Sequence, residues 1–488
     1  MFLPYIDKSL SRSVFQQLLE QIMQKIESGV LQEGYAMPPS RELAQKLGIN
    51  RSTVVKVYEE LWALGYLEST PGSYTRVRKR MPLASKPVAE PEDVEESNDI
   101  VSELILPEPA TPDPSAHLSV PQATGCIDLQ RLEPDTSLID HRQFSSCFRE
   151  AMADAQFFGY CDVRGFAPLR TEILRHMNLH SIHAADENIL ITNGSQNALQ
   201  LIFQSLVSKD DTVVIESPTY SMLIPLLQFL GCKVVEVPVN KDGMDIKLLR
   251  KIFRKHRVRL VYCMPSFHNP TGVTMSQENR EELLQLCEQH QTLIVEDGFE
   301  EEMKYFGKVH LPIKSMDHKG IVIYLGSFSK IFAPGLRTGW IIAHPAIIQR
   351  LTALKTTLDL SSNTMSQAVM HRFCQSGAYE LHIRKMMRVF RKRMKAALKA
   401  LKTHIPREKA SWEEPLGGFL VWLKIHSTKK HPDLEVHLAE HGVNVSNGNA
   451  FFFTPSKNIY IRISISGSTE PEIEEGIKRI GRALSEIS

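Results

Sequence analysis

A chain of 488 residues exceeds one typical domain, and its 42% hydrophobic and 23% charged side chains are the proportions of a soluble globular protein. A net charge of +1 excludes a polyelectrolyte whose overall charge selects its partner. Seven cysteines without a Cys-x-x-Cys pair exclude a disulfide frame or a zinc ribbon, and no apolar run nears the ~20 residues that cross a bilayer, so a cytoplasmic protein with no membrane partner is expected.

Val14, Leu18, Ile22 and Ile26 recur at helical spacing and predict a first helix that Gly29 ends. Ser40, as an N-cap, predicts a short second helix from Arg41 to Leu47, stopped by Gly48. Asn50 opens a third helix through Leu64, with Val54, Val57, Tyr58 and Leu61 on one face. Two helices joined by a tight glycine-containing turn make a helix-turn-helix. Gly65-Tyr66-Leu67-Glu68 and Tyr74-Thr75-Arg76-Val77 around Pro71-Gly72 predict a small β-hairpin wing.

With these elements in place, Pro38-Pro39-Ser40-Arg41-Glu42-Leu43 and Asn50-Arg51-Ser52-Thr53-Val54 resemble a GntR-type winged helix. The resemblance implies that Arg41, Arg51 and Thr53 contact double-stranded DNA and that Gly72 enters the minor groove. Arg51 and Lys56 lie near the start of the third helix, the end that enters the major groove in such modules. Ser73-Tyr74-Thr75 departs from the usual Gly-Ser-Gly-Thr of the wing. On charge alone, eleven Lys/Arg against eight acids in residues 1–80, a helical protein-interaction domain is the alternative.

Residues 81–120 hold one lysine against nine acids, with seven prolines from Pro82 to Pro114. Such a composition cannot bury enough apolar surface to offset its ordering entropy. The domains expected are therefore 1–80, a flexible acidic linker over 81–122, and 123–488.

In the third segment, polar motifs stand at the ends of apolar runs. Asn193-Gly194-Ser195-Gln196 falls between Ile189-Leu190-Ile191 and the helical pattern of Ala198 to Leu206, a helix start that favours phosphate. Asn269-Pro270-Thr271-Gly272 follows Leu260 to Met264 and sets an amide donor in a tight turn. Asp297 ends the run from Thr292 to Val295. Ser327-Phe328-Ser329-Lys330 follows Ile321 to Leu325 and precedes Arg337. A lysine delivered from a strand end into a pocket is pushed toward its neutral, nucleophilic form. Two hydroxyls and an arginine beside it suit a dianionic phosphate. Pyridoxal 5′-phosphate (PLP) needs that pairing, because its aldehyde forms a Schiff base and its phosphate is its anchor.

Residues from about 125 to 488 thus resemble a fold-type I, aspartate-aminotransferase-like PLP domain. The resemblance implies an α/β fold with a mainly parallel central sheet and a smaller C-terminal α+β subdomain. It gives Lys330 the internal aldimine, and gives Ser195, Gln196, Ser327, Ser329 and Arg337 the phosphate. Asn269 takes the phenolic oxygen, Asp297 the pyridine nitrogen and Tyr220 the ring face. Tyr160 reaches the phosphate from the partner subunit. Arg462 grips a substrate α-carboxylate, a task its planar fork suits. Two departures stand out. Asp297-Gly298-Phe299-Glu300 lacks the tyrosine that follows the aspartate in such families, and Asp162-Val163-Arg164 stands where a proline is common.

A GntR-like reader joined to an aminotransferase-like domain resembles the MocR family of bacterial transcription regulators. That implies a homodimer reading two half-sites of promoter DNA and answering an amino compound or PLP. Two other classes stay open: a working aminotransferase with a tethering head, and a DNA-binding protein whose large domain is a relic.

Overall fold

The computed structural model describes residues 4–7, 12–68, 75–78, 125–299, 301–307, 310–426 and 434–486. Gly72 and the expected linker lie outside the described residues. The described parts fall in two units, each built around its own core.

In the first unit, helices α1 (Val14–Glu27), α2 (Ser40–Leu47) and α3 (Arg51–Ala63) precede strands β1 (Leu67–Glu68) and β2 (Arg76–Val77). The strands pair antiparallel with Leu67 opposite Val77. Leu18, Ile22, Leu43, Val54, Val57 and Leu61 are fully buried, so the helical periodicity becomes the core face. Asn50 caps α3 by accepting from the Ser52 N–H at 3.0 Å. The expected cap at Ser40 is corrected: Ser40 is the first helical residue and Pro39 holds the cap position without a side-chain bond. Proline tolerates this edge because it has no N–H to satisfy, while Glu42 in the first turn complements the helix dipole.

The second unit has a central sheet of β4 (Ile189–Thr192), β5 (Thr212–Ser217), β6 (Lys233–Asn240), β7 (Gly243–Met244), β8 (Val258–Cys263), β9 (Leu293–Asp297), β10 (Val322–Ser327) and β11 (Gly339–Ile342), after the short β3 (Ile127–Asp128). Its spatial order is β4-β11-β10-β9-β8-β5-β6-β7. The pairs joining β10, β9, β8, β5 and β6 are parallel, while β11 and the edge strand β7 run antiparallel to their neighbours. Successive residues feed opposite cores: Leu260 and Tyr262 pack on the side of helix α4 (Ser195–Leu206), Val261 and Cys263 on the other. Covering both faces explains why these strands read as unbroken apolar runs.

Helix α5 (Ala378–His404) leads into an antiparallel sheet of β12 (Ala410–Ser411), β13 (Leu420–Ile425), β16 (Ile459–Ser464) and β15 (Ser446–Asn447), and helix α6 (Glu470–Glu486) packs back on α5. Strand β14 (Val443–Asn444) pairs in parallel with β3. This is the expected α/β domain with a smaller C-terminal α+β part. The carboxyl ends of β5, β8, β9 and β10 share one edge of the sheet, where open α/β sheets place their ligands.

Candidate functional site

Strands β9 and β10 run in register with Leu325 opposite Asp297, so Asp297 and Ser327 end neighbouring strands. Beyond Ser327 the chain turns at once: the Ser327 Oγ accepts from the Ser329 N–H at 3.1 Å. Phe328 anchors this turn, its ring 4.9 Å from Trp340 and 5.1 Å from Tyr379. Lys330 is half-buried and its Nζ donates to the Leu132 carbonyl at 2.8 Å.

On the same edge α4 begins at Ser195 behind Gly194, whose φ of 83° a side chain rarely adopts. A Cβ on Gly194 would also stand 2.7 Å from the Arg337 guanidinium. Arg337 is solvent-exposed and donates to the Asn193 carbonyl at 3.1 Å. Gln196 turns its Nε2 to the Met222 carbonyl at 3.2 Å, leaving its Oε1 buried and unbonded.

Asp297 is buried, and the Tyr262 hydroxyl donates to its Oδ2 at 2.9 Å. Burial pushes its carboxyl up to about 6, against the pull of that hydrogen bond. Tyr220 is pushed up to about 12 by burial and then by the Asp297 charge, with Arg337 and Arg462 opposing. Tyr220 therefore sits among all three charged groups. Phe299 is buried with Tyr262 and Leu325 in one apolar cluster, so the position lacking a phenol is filled by core packing.

Arg462 on β16 is buried and closes the site from the C-terminal sheet. Its Nη1 donates to Asn269 Oδ1 at 3.1 Å, its Nη2 to the Gln130 carbonyl at 3.0 Å and to Ser446 Oγ at 2.9 Å. The guanidinium carbon lies 4.8 Å from the centre of the Phe451 ring. One segment after β3 thus accepts Arg462 through Gln130 and Lys330 through Leu132. Tyr160 stands apart, 83% exposed.

Sequence reasoning missed Tyr262, Gln130, Leu132 and Ser446. It also missed the clamp in which Glu302 binds His176 and His180. Burial raises the Glu302 carboxyl, but the two imidazoles outweigh it and hold it down at about 2.

The residues suit PLP by the chemistry of their donors and acceptors. At one end the Ser329 hydroxyl is buried without a partner, and α4 starts with no side-chain cap, so its first N–H groups favour an anion. At the other, Asp297 Oδ1 is a buried acceptor with no hydrogen bond. An orphaned buried polar atom costs about 1–3 kcal/mol, which a ligand of matching polarity recovers.

In the first unit, Arg51 and Lys56 lie exposed on α3, with Thr53 half-buried beside them, and Arg41 lies exposed on α2.

The family model of bacterial regulatory proteins of the gntR family matches residues 15–77, and that of aminotransferase class I and II matches 138–480. The uncharacterized HTH-type transcriptional regulator YdfD of Bacillus subtilis is 31% identical over 477 residues, 97% of this chain and 97% of that one. The chain belongs to the class I and II aminotransferase family and, with its gntR head, to the MocR regulators. The MocR chain shares its rear part with aromatic-amino-acid aminotransferase 1 of Thermococcus litoralis, at 36% identity over 68% of this chain and 81% of that one. The kynurenine aminotransferase of Pyrococcus horikoshii, solved in complex with PMP, superposes with a TM-score of 0.71 and 31% identity, covering 75% of this chain and 92% of its own. PLP is the cofactor of this MocR fold. Among the described residues no helix is long and apolar enough to cross a membrane.

Proposed function

We propose that the chain is a PLP-dependent transcription regulator in which an amino compound, read at the cofactor, alters how a homodimer holds two half-sites of promoter DNA. The observation that carries this reading is the meeting of Lys330, Ser329, Asp297, Tyr220 and Arg462 at one sheet edge, in a chain that also bears a gntR head.

In this reading Lys330 holds the cofactor covalently, and Ser195, Gln196, Ser327, Ser329 and Arg337 hold its phosphate. Asn269 faces its phenolic oxygen and Tyr220 its ring. When bound, PLP supplies an aldehyde for an amine and a ring that withdraws electrons. Asp297, with its carboxyl at about 6, is mostly ionised at pH 7 and can keep a proton on the ring nitrogen. Tyr262 orients that carboxylate. Arg462 now spends its fork on neutral oxygens, which an incoming α-carboxylate would replace with a charge-assisted pair. Tyr160 and Phe158, 83% and 70% exposed, are the rings that a second subunit would cover. Arg41, Arg51, Thr53, Lys56 and Gly72 are the DNA contacts.

A second reading is a working aminotransferase, favoured by the retention of both Lys330 and the carboxylate-binding Arg462. Incubation of the PLP-loaded protein with amino acids separates the two. Steady release of oxo acid over many turnovers would favour the enzyme. One turnover or none, with a changed DNA affinity, is what the regulator predicts.

A further inference from the structure

Helix α5 carries six exposed cations on one line: Arg384, Arg388, Arg391, Lys395, Lys399 and Lys402. Their spacings are all three or four residues, so they follow a single helical face for about 27 Å at 1.5 Å per residue. The opposite face is spent on the core, where Met386, Phe390, Met394, Ala397 and Leu401 are buried. Two further exposed lysines, Lys385 and Lys392, flank the line, and the one arginine off it, Arg393, is buried and paired with Asp135. Among the described residues only Lys402 of the six has a carboxylate partner, Glu414 at 2.7 Å.

Such a stripe works against its own helix. Like charges at three- and four-residue spacing destabilise by about 0.2–0.5 kcal/mol per pair. The helix dipole favours cations in the last turn only, so it rewards Lys402 but not Arg384 or Arg388 near the amino end. Arg391 has a packing role, its guanidinium 5.4 Å from the centre of the Phe306 ring. The chain as a whole is nearly neutral, at +1, so this concentration is local. A row of cations at intervals of about one helical turn, five of the six without a carboxylate partner among the described residues, matches a polyanion with regularly spaced charges.

We infer that the exposed face of α5 is a second DNA-binding surface, which holds the phosphate backbone without reading sequence. This rests on the proposal that the protein binds DNA through its head, and adds a contact made by the effector domain itself. Duplex DNA is the occupant chosen because the same chain already carries a gntR module. Release of condensed counterions makes each phosphate contact visible as a steeper salt dependence.

The test uses the full-length PLP-loaded protein and a random-sequence duplex of about 60 base pairs, long enough for several phosphate contacts. Arg384→Gln, Arg388→Gln, Lys395→Gln and Lys399→Gln are combined, leaving Arg391 on its ring and Lys402 on its carboxylate. The combined variant should bind about 10–100-fold more weakly near 0.1 M salt, with the slope of log K against log salt shallower by about 2–4. Its melting temperature should be unchanged or slightly raised, since like-charge repulsion is relieved. Arg51→Ala should weaken binding separately, and the two sets should add. If Arg51→Ala weakens binding while the combined variant binds with wild-type affinity and slope, the stripe is no DNA surface, though the head remains one. If wild-type protein fails to bind any duplex, both readings fall. If the combined variant loses only its attachment to phosphatidylserine vesicles, the stripe belongs to a membrane surface and the inference is overturned.

Discussion

The Arg462 guanidinium donates to Asn269 Oδ1 at 3.1 Å, tying the C-terminal antiparallel sheet to the turn that follows β8. The two residues are 193 positions apart in the chain, and both are buried. Anything that draws Arg462 toward a carboxylate therefore pulls on the turn that carries Asn269, the residue proposed to face the cofactor's phenolic oxygen. Under the proposed function, that linkage would give an amino acid effector a route by which to shift one part of the domain against the other.

Arg462→Ala should leave PLP retention intact and weaken an amino acid effector by about 10–100-fold, the worth of a charge-assisted pair. Arg462→Lys should not restore it, because an ammonium lacks the planar fork. Titration of the cofactor absorbance with a panel of amino acids measures this. Unchanged affinity in the alanine variant would remove Arg462 from the effector site.

Tyr262→Phe removes the hydroxyl bonded to Asp297 and nothing else. The carboxylate then loses a donor in a buried setting, and its pKa should rise further above the value near 6. PLP should bind more weakly by about 1–2 kcal/mol at pH 7, with the loss smaller at higher pH as Asp297 ionises. Equal PLP affinity in the variant and the wild type at every pH would show that Tyr262 does not orient the carboxylate.

In the cofactor-free protein, Asp297 and Glu296 should each contribute a loss of stability as pH rises from about 4 to about 7. Burial raises Asp297 to about 6 and Glu296 to about 7. In that window the folded chain holds protons that the unfolded chain has released, so raising the pH favours unfolding. Each group accounts for about 3 kcal/mol of this slope at most. Urea unfolding of wild type and Asp297→Asn at pH 5 and 7.5 isolates the Asp297 share. Identical differences between the two pH values in both proteins would refute it.

Arg51→Ala should cost about 1–3 kcal/mol of DNA affinity if the side chain reads a base, or flatten the salt slope by about one contact if it touches phosphate. Cofactor absorbance should not change. Wild-type affinity and slope together would take Arg51 out of the interface.

What the sequence makes legible depends on where a residue sits relative to an apolar run. Lys330, Asp297, Asn269 and Ser195 stand at strand ends, and the structure brings those ends to one edge of the sheet. Tyr262 lies inside the run from Leu260 to Met264 and looks like ordinary strand; only its position on β8, beside the strand that Asp297 ends, reveals its partner. Gln130 and Leu132 act through main-chain carbonyls, which no side-chain pattern announces, and Gln130 meets Arg462 across 332 positions. Phe299 is recognisable as a missing phenol, but its packing with Leu325 is a tertiary fact. Ser40 was misplaced by one residue because cap preferences cannot tell N-cap from first turn after two prolines. The stripe on α5 was written in plain periodicity and was hidden by a whole-chain charge that averages it away.

The most direct measurement of the central claim is the DNA affinity of the PLP-loaded protein, with and without amino compounds, beside that of Lys330→Ala. At least one amino compound should change wild-type affinity several-fold, and the variant, folded and still binding DNA, should not respond. An equal response in the variant, or none from any amino compound in the wild type, would contradict that claim.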